Sequence, residues 1–454
     1  MVRELRARRS AGRRRTNLGE RPKAFALIYR ERLRFGMHQT AAMSQENNRM
    51  GAAARPAAGT GTRTRLFQKL SYGRWLPSYA WQRLTRPTPR GTVHLIVALA
   101  DHFEPAIVPE NGRSRAAFSE QERRVEHWCS AYPRAVDRWR DQEGRPLVHT
   151  YFYPAEQYDR GLIDRIADHC HAGWGEIEIH LHHGVDHADS AENTRRQLVE
   201  FRDALVVNHG SLCFMDGSPQ PRYAFVHGNF ALANAAGGFA CGVDNEMQVL
   251  ADTGCYADFT LPAAAFHPAQ IGKVNSLYEC SLPLGAQAPH RKGRELAAGR
   301  VPQIFPLNVQ GPLMFDFDRQ ARNRVGRFEN AALTGANPPS MRRLGLWKKA
   351  AISVQHRPDW LFIKLHTHSM DPSQREAVMG SPMQRFLAAF VDGAGDRNEV
   401  IHFVTAREMV NIILAACDGR EGNPGQYRGY RLRLTGDSAV ASRPGTNPQL
   451  SVRG

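Results

Sequence analysis

Residues 176–187 read EIEIHLHHGVDH. The first half alternates acidic residues with Ile, the period-two pattern of a half-buried strand. The second half breaks into histidines and reaches Gly184, so a strand ends there and a loop begins. His180, His182, His183 and His187 fall within eight residues, with Asp186 among them. In parallel α/β architectures the reactive side chains stand at the carboxyl ends of strands, where loops converge.

The same plan recurs on both sides of this stretch. Strand-like runs lie at 93–100 (VHLIVALA), 147–153, 222–227 (RYAFVH), 256–261, 303–308, 360–366 (WLFIKLH) and 400–405, with a further short one at 431–436. Helical stretches separate several of them, among them SEQERRVEHWCSA, NTRRQLVEFRDALV, NEMQVLADTG and AREMVNIILAA. Strand and helix in turn over more than 300 residues predict an α/β barrel or a large doubly wound sheet.

The charge is unevenly placed. The chain of 454 residues has a formal net charge of +16, which invites a nucleic-acid reading. Residues 1–90, however, hold 21 Lys/Arg against four acids, and the remaining 364 hold 39 against 40. The body is neutral, so nucleic acid is not the expected partner. Residues 1–64, rich in Arg, Ala and Gly, read as a disordered basic arm. Residues 65–90 interleave aromatics with Arg and Lys and contain no acid. Such a collar either packs on the domain, the favoured reading, or lies on an anionic membrane surface. Pro77 is expected to break any long helix in it. The body then spans 91–416, and 417–454 reads as a tail that frays after one short strand.

Seven scattered cysteines without a C-x-x-C pair argue against a disulfide framework and against a structural zinc cluster, and fit a reducing compartment. No apolar run reaches the roughly 18–20 residues of a membrane span. The expectation is a soluble, cytoplasmic body, peripheral at the inner membrane face if the collar engages lipid.

Four predicted strands end in ionisable residues. VHLIVALA runs into Asp101, His102 and Glu104; the central stretch supplies His180, His182 and His183; RYAFVH leads to His227 and Asn229; WLFIKLH leads to His366 and His368. A single strand-end histidine is usually a hydrogen-bonded surface residue, but three imidazoles in four residues are costly to gather unless something binds them. Alternation puts His180 and His182 on one face, while a turn could bring His183 round instead. Imidazole and carboxylate suit zinc or another divalent first-row metal. Such a site lends itself to metal-assisted hydrolysis of an amide or ester. No phosphate loop and no G-x-S-x-G elbow occurs.

The order of these motifs resembles the polysaccharide deacetylase (NodB-homology) superfamily, in a divergent branch associated with surface-polysaccharide synthesis. The resemblance spans roughly 92–416 and implies a distorted (β/α)7 barrel and a divalent metal, zinc by preference. LADHFEP looks like the first motif, with His102 where a second Asp usually stands. EIEIHLHHG looks like the second, with His180 retained but Gly184 in place of the later His. FVHGN lacks the Arg of the third motif, NEMQVLADTGCYADFTLP places Asp258 at a family Asp, and KLHTHS looks like the last motif. On this resemblance Asp101 is base or ligand and His366 the general acid. His102, His180 and His182 or His183 hold the metal, and His227, Asn229, Asp258 and His368 face substrate. The implied reaction removes an N- or O-acyl group from a sugar or polysaccharide precursor. A non-catalytic glycan-binding protein on a decayed barrel is the alternative.

Overall fold

The computed structural model describes residues 61–434 apart from 88, 90, 110–113 and 318–326, with side chains described from residue 73. The basic arm, up to residue 60, and the tail beyond 434 lie outside the described residues. The first element is helix α1 (Gly61–Thr85), followed by β1 (Val93–His102), α2 (Phe118–Val136), β2 (His149–Pro154), α3 (Arg160–His169), β3 (Gly175–Leu181), α4 (Ala191–His209), β4 (Cys213–Met215) and β5 (Pro221–His227). Then come α5 (Glu246–Thr253), β6 (Cys255–Asp258), β7 (Leu277–Cys280), β8 (Gly293–Glu295), β9 (Leu307–Val309), β10 (Met314–Asp316) and β11 (Arg327–Glu329). The chain closes with α6 (Met341–Lys349), β12 (Trp360–Thr367), α7 (Arg375–Met379), α8 (Ser381–Asp392), β13 (Glu399–Val404), α9 (Ala406–Cys417) and β14 (Leu432–Leu434).

The helices begin where the sequence offers caps. Asp159, Ser190 and Ser340 accept backbone N–H bonds at the starts of α3, α4 and α6. Thr405 and Glu408 form a reciprocal capping box ahead of α9, whose twelve residues are all buried.

The main sheet runs β12-β1-β2-β3-β5-β6-β9-β7-β8, and β13 pairs with the first half of β1. Pairings from β12 through to β9 are parallel, whereas β7 joins β9 and β8 antiparallel. The expected barrel is therefore corrected: no closed ring of paired strands forms among the described residues. The reason lies after β6, where β7 takes the outer edge of β9 that a closing strand would need. The free side of β12 is covered by residues 331–333 instead, through Leu333 N–H to His366 O (2.8 Å) and His366 N–H to Ala331 O (3.1 Å). The expected strand at 303–308 is likewise shorter, starting only at Leu307.

Strand alternation sorts side chains between two cores. Leu95, Val97 and Leu99 of β1 pack with Trp128 and Tyr132 of α2, on what is here the outer face. Ile96, Ala98 and Ala100 pack with Phe152, Phe259 and Met409, on the inner face. Burial on both faces explains why β1 is a continuous apolar run.

Helix α1 runs through Pro77, contrary to the expected break. The carbonyl that proline leaves unbonded is that of Gly73, which is exposed and open to water. The helix docks by Trp75, fully buried against Phe315 and Phe328, with its Nε1–H donating to Ala265 O (3.2 Å). Gln82 and Arg86 donate to the carbonyls of Val274 (2.6 Å) and Ala350 (2.6 Å). Gly272 makes the close approach possible, since a Cβ there would lie 2.6 Å from Arg74 O.

Candidate metal centre

In the order β12-β1-β2-β3-β5 the carboxyl ends bring His366, Asp101, His180 and His227 to one edge of the sheet; Asp101 pairs with Thr367, and Leu181 with His227. What the edge then does depends on face. His102, Glu104, His180, His366 and His368 fall in the phase of the inner core, whereas Asp101, His183 and His227 fall in the phase of the outer one.

The inner group is buried and convergent. Ligand atoms of His102, Glu104 and His180 lie within 4.8 Å of one another. The His102 ring centroid is 4.8 Å from that of His180 and 4.6 Å from that of His368. Glu104 Oε1 stands 3.2 Å from His180 Nε2, 3.7 Å from His182 Nε2 and 3.9 Å from His368 Nε2. His180 Nδ1–H donates to Val226 O (2.9 Å), which fixes the tautomer and leaves Nε2 facing the cluster. His182 Nδ1 is held by Glu156 Oε1 at 2.7 Å. One side of the group is open, because the His182 and His368 side chains retain 24 % and 29 % exposure.

The electrostatics follow from that geometry. Burial, then the neighbouring imidazoles of His368, His180 and His366, push His102 well below the ordinary histidine range. Burial alone would raise Glu104, but His182, His180 and His368 outweigh it and hold the carboxylate down to about 2. His182 is pulled down by burial yet raised to about 9 by Glu156 and Glu104. The set of two imidazoles and a carboxylate, with one ring oriented through its far nitrogen, fits a borderline divalent metal such as zinc.

Each residue singled out in the sequence has a definite place. His102 and His180 belong to the inner group, His182 stands at its rim, and His183 turns to the outer face. His368 joins the rim, and the His366 ring centroid lies 6.3 Å from that of His102 with its Nδ1 buried and unpartnered. Burial, then Lys364, His368 and Arg343, push the His366 ring well below the ordinary histidine range, so it rests neutral, without the proton that the expected general acid would donate. Asp101 faces away, its Oδ2 accepting from His149 Nδ1 (2.9 Å) and its Oδ1 from Ser369 N–H (2.9 Å). Asp258 is buried and accepts from Thr260 N–H (3.2 Å). Asn229 N–H donates to His227 Nδ1 (3.2 Å).

Glu104 and Glu156 complete the inner group although neither had been singled out as a ligand or an orienting group. The signal for Glu104 was its spacing: residues two apart in extended chain share a face, which pairs it with His102 and not with Asp101. Glu156 carries no such signal, since it comes from the turn after β2. Gly228 seats the rim, because a Cβ there would lie 2.2 Å from His182 Cδ2.

No protein-family model matches the sequence, and no curated protein matches it. A comparison of folds finds a crystal structure described as "putative polysaccharide deacetylase from Mycobacterium smegmatis". The two share 14% identity and a TM-score of 0.34 over 67% of this chain and 86% of that one. Among the described residues no helix is long and apolar enough to cross a membrane.

Proposed function

We propose that the protein is a metal-dependent hydrolase that removes an acetyl or related acyl group from a sugar or polysaccharide precursor. One observation carries the reading: His102, Glu104 and His180, all buried, converge at strand ends beside the partly exposed side chains of His182 and His368. Three protein donors and one free approach are the arrangement of a catalytic site, where a structural site would be closed. The order of sequence motifs supports an acylated sugar as substrate.

His102, Glu104 and His180 would hold the metal. When bound, it would polarise the acyl oxygen and make water a nucleophile near neutral pH. The rest falls to the chain. Val226 O fixes the His180 ring, and Glu156 aims His182 Nε2 at the mouth, where it can meet the acyl or leaving-group oxygen. His366, neutral and with an unpartnered Nδ1, stands beside His102 as a hydrogen-bonding group for substrate or water. His368 lines the exposed rim.

The test is metal content and acetate release from a panel of N- and O-acetylated sugars, with Glu104→Gln and His180→Ala as controls. Stoichiometric metal that both variants reduce, together with acetate release, supports the reading. Purified protein with no metal at neutral pH refutes it, and metal with sugar binding but no turnover points to the glycan-binding alternative.

The collar is proposed as a peripheral lipid contact on separate grounds. With α1 docked, Trp81 and Leu84 remain exposed beside Arg83. Failure of the full chain to sediment with anionic vesicles would exclude this.

A further inference from the structure

The outer face carries a second convergence of ligand types that shares no residue with the first. His183 follows β3, His227 ends β5, Cys241 lies in the irregular segment 228–245, and Glu246 opens α5. Their ligand atoms lie within 4.8 Å of one another, and their exposures are 5%, 0%, 0% and 0%. Tetrahedral zinc with nitrogen, oxygen and sulfur ligands would place donors roughly 3.3–3.8 Å apart, so closure asks for shifts of about 1 Å.

Surrounding contacts already point the donors inward. Asp189 Oδ2 lies 3.2 Å from His183 Nδ1 and also accepts from Thr194 Oγ1 (2.8 Å), so the carboxylate backs the ring and leaves Nε2 for the centre. Ala233 N–H occupies Glu246 Oε2 (2.6 Å), which turns Oε1 toward His183 Nε2 (2.9 Å) and His227 Nε2 (3.9 Å). His227 Nε2 is fully buried and has no hydrogen-bond partner. Ligation through that atom puts the ring proton on Nδ1, so the 3.2 Å contact from Asn229 N–H gives way.

The backbone is arranged around the same point. Gly184 has a φ of +65°, and a Cβ there would lie 2.0 Å from Cys241 O. The glycine at the position where the resemblance led one to expect a histidine thus lets Cys241 approach. Segment 228–245 has little of its own to hold it: its buried apolar residues are mostly alanines, and Phe230, Ala233, Asn234 and Ala240 take positive φ. Such backbone persists only where the surroundings over-determine it.

We infer that His183, His227, Cys241 and Glu246 form a second, closed site for a zinc-class divalent ion, which clasps segment 228–245 to the sheet edge. Four buried protein donors including a thiolate define a structural site, in contrast to the open three-donor group on the inner face. The inference runs against the expectation, drawn from the scattered cysteines, that there is no structural zinc cluster: one thiol suffices where His and Glu supply the other donors.

Sulfur separates the two sites experimentally. The full chain would be stripped with chelator, reloaded with Co²⁺ and compared with Cys241→Ser, Glu246→Gln and His180→Ala. A sulfur-to-cobalt charge-transfer band is expected in the wild type and in His180→Ala, and its loss in Cys241→Ser. Zinc content should fall by about one equivalent per chain in Cys241→Ser and in Glu246→Gln, whether or not the inner group holds metal. Proteolysis within 228–245 should rise in both variants. No band, a band that survives Cys241→Ser, or zinc content unchanged in both variants overturns the inference. An inner site without metal would instead leave one equivalent and an intact band, refuting only the function proposed above.

Discussion

Asp101→Asn tests whether the acid of the DHFEP motif is catalytic or positional. Asp101 is fully buried, and its two oxygens each accept one bond, from His149 Nδ1 and from Ser369 N–H, both at 2.9 Å. Asparagine keeps one carbonyl oxygen and turns an NH₂ toward the other donor. One bond to a charged acceptor is lost, worth about 1.5–3 kcal/mol, and a buried donor is left facing another donor. A loss near 2–3 kcal/mol is expected. At about 2.1 cal/mol/K per residue over ~360 folded residues, the unfolding entropy is ~0.8 kcal/mol/K, so the thermal midpoint should fall about 3–4 °C. The pairing ties β2 to the turn after β12, and the proposed metal donors lie on the opposite face. Metal content should therefore stay at the wild-type level. Calorimetry and elemental analysis on the same preparation give both quantities. An unchanged midpoint with loss of metal or of turnover would refute the positional role and restore Asp101 as ligand or base.

Three other outcomes follow. Gly228→Ala should lower turnover on the order of 10–100-fold with little change in melting, because the added methyl displaces the His182 ring; steady-state kinetics beside a melting curve decides this. Stability should fall with acid through His169, whose pKa burial, with His149 nearby, lowers from 6.5 to about 4. A depressed histidine contributes fully above 6.5 and loses that contribution as pH drops to 4, at most about 2–4 kcal/mol, so urea titrations of His169→Gln should show a shallower fall in this window. Trp75→Ala should cost about 3–5 kcal/mol of docking and expose α1 to protease, read by cleavage rate within 61–87.

Much of the sheet was legible because each core strand reads as an apolar run between loops. The strand-end histidines were legible as a group, and their division into two was half legible. Leu95, Val97 and Leu99 set the outer phase of β1, so Asp101 continues outward and His102 and Glu104 inward. Reading the phase to the strand end would have separated Asp101 from His102 and added Glu104. Beyond Leu181 the strand stops, so the split between His182 and His183 depends on a turn that periodicity cannot describe. Cys241 and Glu246 were out of reach for another reason. They arrive through an alanine- and glycine-rich segment whose path is set by close backbone packing at Gly184, a contact with no sequence pattern. The failed barrel closure is similar, since short antiparallel strands such as β7 and β8 leave almost no periodic trace.

His180 donates to Val226 O, a carbonyl of the neighbouring strand, and pairs with Val226 in the β3–β5 register. The orientation of one proposed metal ligand is thus set by an alignment between strands rather than by the loop that follows. A slip of one residue would send every side chain of β3 to the other face, exchanging the phases that feed the two clusters. If the proposed sites hold metal, metal retention would also report strand register, and folding intermediates with misaligned β3 and β5 would be recognisable by their failure to retain it.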